Sequence, residues 1–160
     1  MNAKLLSLLL VVLCAACAGT SPAPDVSYYL LGAEPSPPPA GCEAKLGELE
    51  VPGYLRRSHI VVATGDNEIT PANAHRWAEP LGEALSRVLS QCLDGTQPVN
   101  VRIEALHGST SGAVVLRASW PDGEQRRRFN RSEPQGVSGY DALVSKHNEL
   151  LRDLCSSICQ

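Results

Sequence analysis

An α+β fold, with an antiparallel or mixed β-sheet carrying two amphipathic helices on one face, is predicted by three features of this 160-residue sequence. Val99–Ala105 and Val114–Trp120 alternate apolar and polar residues, the pattern of half-buried strands. Two other segments repeat apolar residues at helical spacing: Trp77, Leu81, Leu85, Val88, Leu89 and Cys92, then Leu143, His147, Leu150, Leu151, Leu154 and Ile158. Turn formers punctuate the chain at Pro52-Gly53, Gly65-Asp66-Asn67, Asp94-Gly95 and Pro121-Asp122-Gly123.

The length suits one domain. An apolar content of 43% excludes wholesale disorder, and with one Phe and two Trp the core must come from Leu, Val, Ile and Ala. Residues 1–16 read as a signal peptide: Lys4 is the positive region, and Leu5–Leu13 is an apolar run shorter than the roughly 20 residues of a membrane span. Ala15-Ala16-Cys17 resembles a lipobox, in which the chain is cut before an acylated cysteine; Cys17 is the expected lipidation site. Cys14 stands at the third position before the cut, where Leu, Val or Ile is usual. Ala18 follows the cysteine in place of Asp, which by resemblance to sorting rules points to the outer membrane. Residues 17–25 form a small, Pro-containing tether, and 26–160 the folded domain. Lys4 is the only charged side chain in the leader, so the formal charge of −3 becomes −4 after cleavage. A mildly acidic domain has no electrostatic footprint for nucleic acid.

Taken in order, Val26–Leu31 is an apolar strand and Glu34–Gly41 a Pro-rich linker. Lys45–Val51 is a half-buried strand that Pro52-Gly53 breaks. Ile60–Ala63 is a third strand, turned at Gly65-Asp66-Asn67 into the short segment Glu68–Thr70. Thr70-Pro71 looks like a helix N-cap, but Pro80 would interrupt a helix from there; the regular helix is expected from near Trp77, with Pro80 in its first turn. Three strands follow, the last at Glu124–Arg131. Ser138-Gly139-Tyr140-Asp141 resembles a capping box that opens the final helix.

With Cys14 removed and Cys17 acylated, Cys42, Cys92, Cys155 and Cys159 remain, an even count that suggests two disulfides in an exported protein. Parallel helices on one face would bring Cys92 near Cys155 or Cys159 and leave the other for Cys42. No zinc knuckle is present. Gly108-Ser109-Thr110-Ser111-Gly112 has Thr where a nucleophile elbow needs Ser, and reads as a hairpin loop. His59, His75, His107 and His147 share no motif, and His147 lies on an apolar stripe. Arg126-Arg127-Arg128 with Arg131 is the one basic cluster; strand alternation splits it between two faces, as on a charge-protected edge strand, and gives it a second use toward anionic lipid or an acidic partner. No catalytic residue, metal ligand or cofactor is expected.

Tyr28-Tyr29-Leu30, Val51-Pro52-Gly53-Tyr54-Leu55 with Arg56-Arg57, Ile60-Val61-Val62, Gly65-Asp66-Asn67-Glu68 and above all Arg76-Trp77-Ala78-Glu79-Pro80-Leu81 are similar, in order and spacing, to the ABC-type transport auxiliary lipoproteins, the PqiC/YmbA-like family. The resemblance covers the mature chain. It implies an outer-membrane-anchored periplasmic lipoprotein of a Gram-negative bacterium, partnered with an MCE-domain protein and an inner-membrane permease or ABC system that moves lipids or other hydrophobic molecules. Its role would be a non-enzymatic, oligomeric docking platform. Tyr54, Leu55, Arg56 and Arg57 of one turn, and Asp66 and Asn67 of the next, are the expected partner contacts. The rival reading is a stand-alone envelope lipoprotein that binds a small hydrophobic ligand or assists envelope assembly. The four extra cysteines are no part of the family pattern.

Overall fold

The computed structural model describes residues 24–32, 34 and 37–160; the signal peptide, Cys17 and most of the tether lie outside the described residues. Seven strands and two helices follow in the order β1 (Ser27–Tyr29), β2 (Ala44–Glu50), β3 (His59–Ala63), β4 (Ile69–Trp77), α1 (Leu81–Cys92), β5 (Gln97–Ser109), β6 (Ala113–Asp122), β7 (Gln125–Pro134) and α2 (Tyr140–Ile158). They form one mixed sheet in the order β1-β4-β3-β5-β6-β7, with β2 also paired to β5.

The meander β5–β6–β7 is its regular half. β6 and β7 pair antiparallel without a slip from Ala113↔Pro134 to Asp122↔Gln125, joined by the tight turn at Gly123, whose φ of 60° suits glycine. β5 is long enough to take two partners on its other side: β2 runs parallel to its first half and β3 parallel to its end, at Val62↔Gly108 and Ala63↔Ser109. Between them the chain leaves the sheet at Pro52 and makes a 3-10 turn, Gly53–Arg56.

The stretch before α1 is the main departure from expectation. Thr70-Pro71 caps no helix; both residues pair with β3, as Val62↔Thr70 and Val61↔Pro71. Proline is tolerated there because β1 flanks β4 only from His75 to Trp77, which leaves an open edge at Pro71. Trp77 ends β4, and α1 begins at Leu81 with Pro80 extended at the N-cap (ψ 124°). A residue before proline avoids helical ψ, so Glu79 blocks an earlier start. The second cap also differs. Gly139 (φ 114°) precedes α2 without a side-chain cap bond, and Gln135 Nε2 donates to its carbonyl in place of any bond from Ser138.

Both helices cover one face of the sheet. All five α1 stripe residues from Leu81 to Cys92 and all six of α2 are buried, against Val101, Ile103, Val114, Leu116, Ala118 and Trp120. Gly108 lets α2 approach β5: a Cβ there would stand 2.8 Å from Leu143 Cδ1. Disulfides Cys92–Cys155 and Cys42–Cys159 tie the C-terminal ends of the helices to each other and to the segment before β2. One bridge from Cys92 to the second helix is the expected arrangement; the structure selects Cys155 as its partner.

Candidate docking surface

Arg76-Trp77-Ala78-Glu79-Pro80-Leu81, the most specific run in the sequence, builds architecture. Trp77 is 5% exposed and its ring lies 6.1 Å from that of His147 on α2. Glu79 pairs with Arg87 in the second turn of α1, and Arg87 Nη2 also donates to the Leu31 carbonyl at 2.9 Å. This clamp fixes the exit of β1 against α1, which orients the N-terminal segment. The contact of Arg87 with the Leu31 carbonyl is long-range and has no local sequence signal.

The turn after β2 divides its four candidate contact residues. Leu55 is 2% exposed and belongs to the core, so it is withdrawn from the contact surface. The turn that carries it packs against α1. Tyr54 is half-buried, and its hydroxyl donates to the Glu104 carbonyl at 3.3 Å, on the stretch of β5 that neither strand reaches. Burial raises the Tyr54 pKa above the usual tyrosine value, which keeps the donor protonated. Arg56 is exposed and its Nε donates to the Val51 carbonyl at 3.0 Å; Arg57 is exposed. Asp66 and Asn67 are exposed in the β3–β4 turn, held by Thr64 N–H to the Glu68 carbonyl at 3.0 Å.

The linear arginine cluster is redistributed by the ladder. β7 is an edge strand, exposed throughout except for Phe129. Arg127 and Arg131 share the Phe129 face: Arg127 pairs with Asp122 at 3.4 Å, and Arg131 stands 5.7 Å from the Phe129 ring centre. Arg126 and Arg128 point to the uncovered face, where the register adds two arginines that are remote in sequence. Ser119 lies between Arg102 and Arg128, and Arg117 stands two residues along β6. Ser119 is fully buried beneath them, donating to Glu104 Oε1 at 2.8 Å and accepting from Arg126 at 3.4 Å. Arg102 pairs with Glu50 at 2.5 Å. Beside this network lies a cleft of about 590 Å³ lined by Glu48, Glu50, Arg56, Arg102 and Arg126. Its lining mixes carboxylates and guanidinium groups.

The histidines are scattered. His75 stacks on Tyr140 with ring centres 3.7 Å apart and meets the Tyr29 hydroxyl at 3.0 Å, which joins β1, β4 and α2. His147 is 1% exposed, neither ring nitrogen has a partner among the described residues, and burial pushes its pKa down to about 3. It is a neutral core residue. Among the described residues no helix is long and apolar enough to cross a membrane, and no group of three or more His, Cys, Asp or Glu could hold a metal ion.

The fold recurs in solved structures. An uncharacterized protein known from its crystal structure is 26% identical, with a TM-score of 0.68 over 85% of this chain and 97% of its own. A Xanthomonas campestris protein crystallised as a DUF330 family member is 13% identical, with a TM-score of 0.62 over 82% and 92% of the two chains, and shows the fold alone. No curated protein matches by sequence. The family model described as ABC-type transport auxiliary lipoprotein component matches residues 28–159, from β1 to the cysteine that closes the second disulfide, and the chain belongs to that family.

Proposed function

We propose that this chain is an outer-membrane lipoprotein facing the periplasm, anchored through Cys17. In that position it serves as the accessory of an MCE/ABC-type system that moves lipids or other hydrophobic molecules between the membranes. The observation that supports this reading is the family match over residues 28–159, which spans the whole folded domain and follows a lipobox. The role is non-enzymatic. A rigid, disulfide-closed domain offers exposed turns at Arg57 and at Asp66-Asn67 to an MCE-domain protein, which in turn engages the inner-membrane permease.

A photo-crosslinking residue at Arg57 or Asn67 in living cells tests the partner. Recovery of an MCE-domain protein is expected from at least one position. A protein that captures only lipid, purifies as a monomer and brings down no envelope partner would instead support the stand-alone ligand-binding reading. Cell fractionation of Cys17→Ser tests the anchor separately: the variant is expected to leave the membrane fraction.

A further inference from the structure

Exposed apolar residues collect at the edge of the sheet that the N-terminal tether enters. Tyr29 turns toward the helices, where its ring lies 6.1 Å from that of Tyr140. Neighbours on a strand point to opposite faces, so Tyr28 points the other way, to the uncovered face, and Val26 and Leu30 flank the strand on either side. Val26, Tyr28 and Leu30 are 37%, 63% and 54% exposed. Arg76 stands beside Tyr28 in the β1–β4 ladder. Across the same face, toward the other edge, stand Arg117, Arg126 and Arg128, which make no salt bridge among the described residues, and the Glu50-paired Arg102. The uncovered face thus carries three arginines without a salt bridge among the described residues, alongside the carboxylates of Glu50 and Glu104.

We propose that this uncovered face is a bilayer-contact surface: Val26, Tyr28 and Leu30 enter the boundary between headgroups and acyl chains, and Arg117, Arg126 and Arg128 meet anionic headgroups. The inference rests on the reading of Cys17 as the acyl anchor. Residues 18–25 separate that anchor from Val26 and can span at most about 29 Å, at about 3.6 Å per residue. Six strands abreast measure roughly 24 Å at about 4.8 Å between neighbours. The β1 edge is therefore the first folded part after the anchor, and the tether is long enough for the domain to lie down and short enough to keep that edge near the bilayer. An acidic protein segment would satisfy the arginines and leave three apolar side chains in water. A lipid surface takes both, as amphipathic tyrosine and basic side chains do at interfaces.

The full-length, acylated protein is placed in vesicles of phosphatidylethanolamine with and without phosphatidylglycerol, with a photo-crosslinking residue at Tyr28, at Arg128, or at Glu149 on the helical layer. All three are surface positions, so folding is retained. Flotation reports the anchor and lipid adducts report the face. The expected result is flotation of every variant, with lipid capture at Tyr28 and Arg128 at least about fivefold above Glu149. Capture at Arg128 is expected to fall when phosphatidylglycerol is omitted. Floating vesicles with equal capture at the three positions would overturn the contact surface and leave the anchor standing. Failure to float would overturn the anchor and the contact with it. Capture of an acidic protein in place of lipid at Arg128 in cells would reassign the face to that partner.

Discussion

On the covered side of β6, Val114, Leu116, Ala118 and Trp120 are none of them more than 3% exposed; on its other side Arg117 and Pro121 stand in water. The same strand thus separates two tasks. The helical side holds the hydrophobic burial and both disulfides, and substitutions there act on stability. The arginine side contributes charge, and in the proposed bilayer contact its substitutions act on what the domain touches. Ser119 breaks the division, because it is fully buried on the arginine side and supports Glu104 and Arg126.

The largest expected effect comes from opening the covered side. Cys92→Ala with Cys155→Ala releases a loop of 63 residues, and loop-closure entropy gives a loss of about 4 kcal/mol. Denaturant unfolding of the double variant checks it, and reductant should act on the wild type in the same direction.

Acid is the next lever. His147 is held neutral with a pKa of about 3 against 6.5 when unfolded. Above pH 6.5 both states are neutral and the group has no effect. As pH falls from 6.5 toward 3 the unfolded chain takes up a proton that the folded core refuses, so stability drops by up to about 1.4 kcal/mol per pH unit, or on the order of 2 kcal/mol at pH 5. His147→Leu should flatten that slope in urea unfolding series at pH 7 and pH 5. An unchanged slope would place the acid sensitivity elsewhere.

Gly108→Ala should cost about 1–3 kcal/mol, because the new methyl meets Leu143 and α2 must move. Arg128→Glu, on the other side of the sheet, should change stability by no more than about 0.5 kcal/mol while reversing the local charge. If Arg128→Glu proved as damaging as Gly108→Ala in the same unfolding assay, the division of labour between the faces would fail.

The regular half of the sheet was legible because its physics is local. Alternation fixes which residues of β6 face the core, and Pro121-Asp122-Gly123 fixes the turn to β7. The stripes of both helices were visible for the same reason. The strand was read only as far as Thr70, because Thr70-Pro71 carries a helix-start signal, while what continues it to Trp77 is pairing with Val61 and His59 and the open edge beside Pro71. Leu55 sits in a turn that local pattern marks as exposed, yet it is buried because the turn packs against α1, a contact no local pattern encodes. The arginine cluster of the uncovered face was half legible: Arg126 and Arg128 lie two residues apart in the text, whereas Arg102 and Arg117 join them only through the register.

The two cystine bridges are nested, Cys92–Cys155 inside Cys42–Cys159. In the proposed export through a translocon N-terminus first, Cys42 and Cys92 meet an oxidase before either native partner has emerged. Pairing in order of arrival therefore gives a wrong first bond, and the native set is reached by thiol exchange once the last helix is out. Biogenesis of this domain should then depend on a disulfide isomerase as well as an oxidase, and cells lacking the isomerase should accumulate the Cys42–Cys92 species on non-reducing gels.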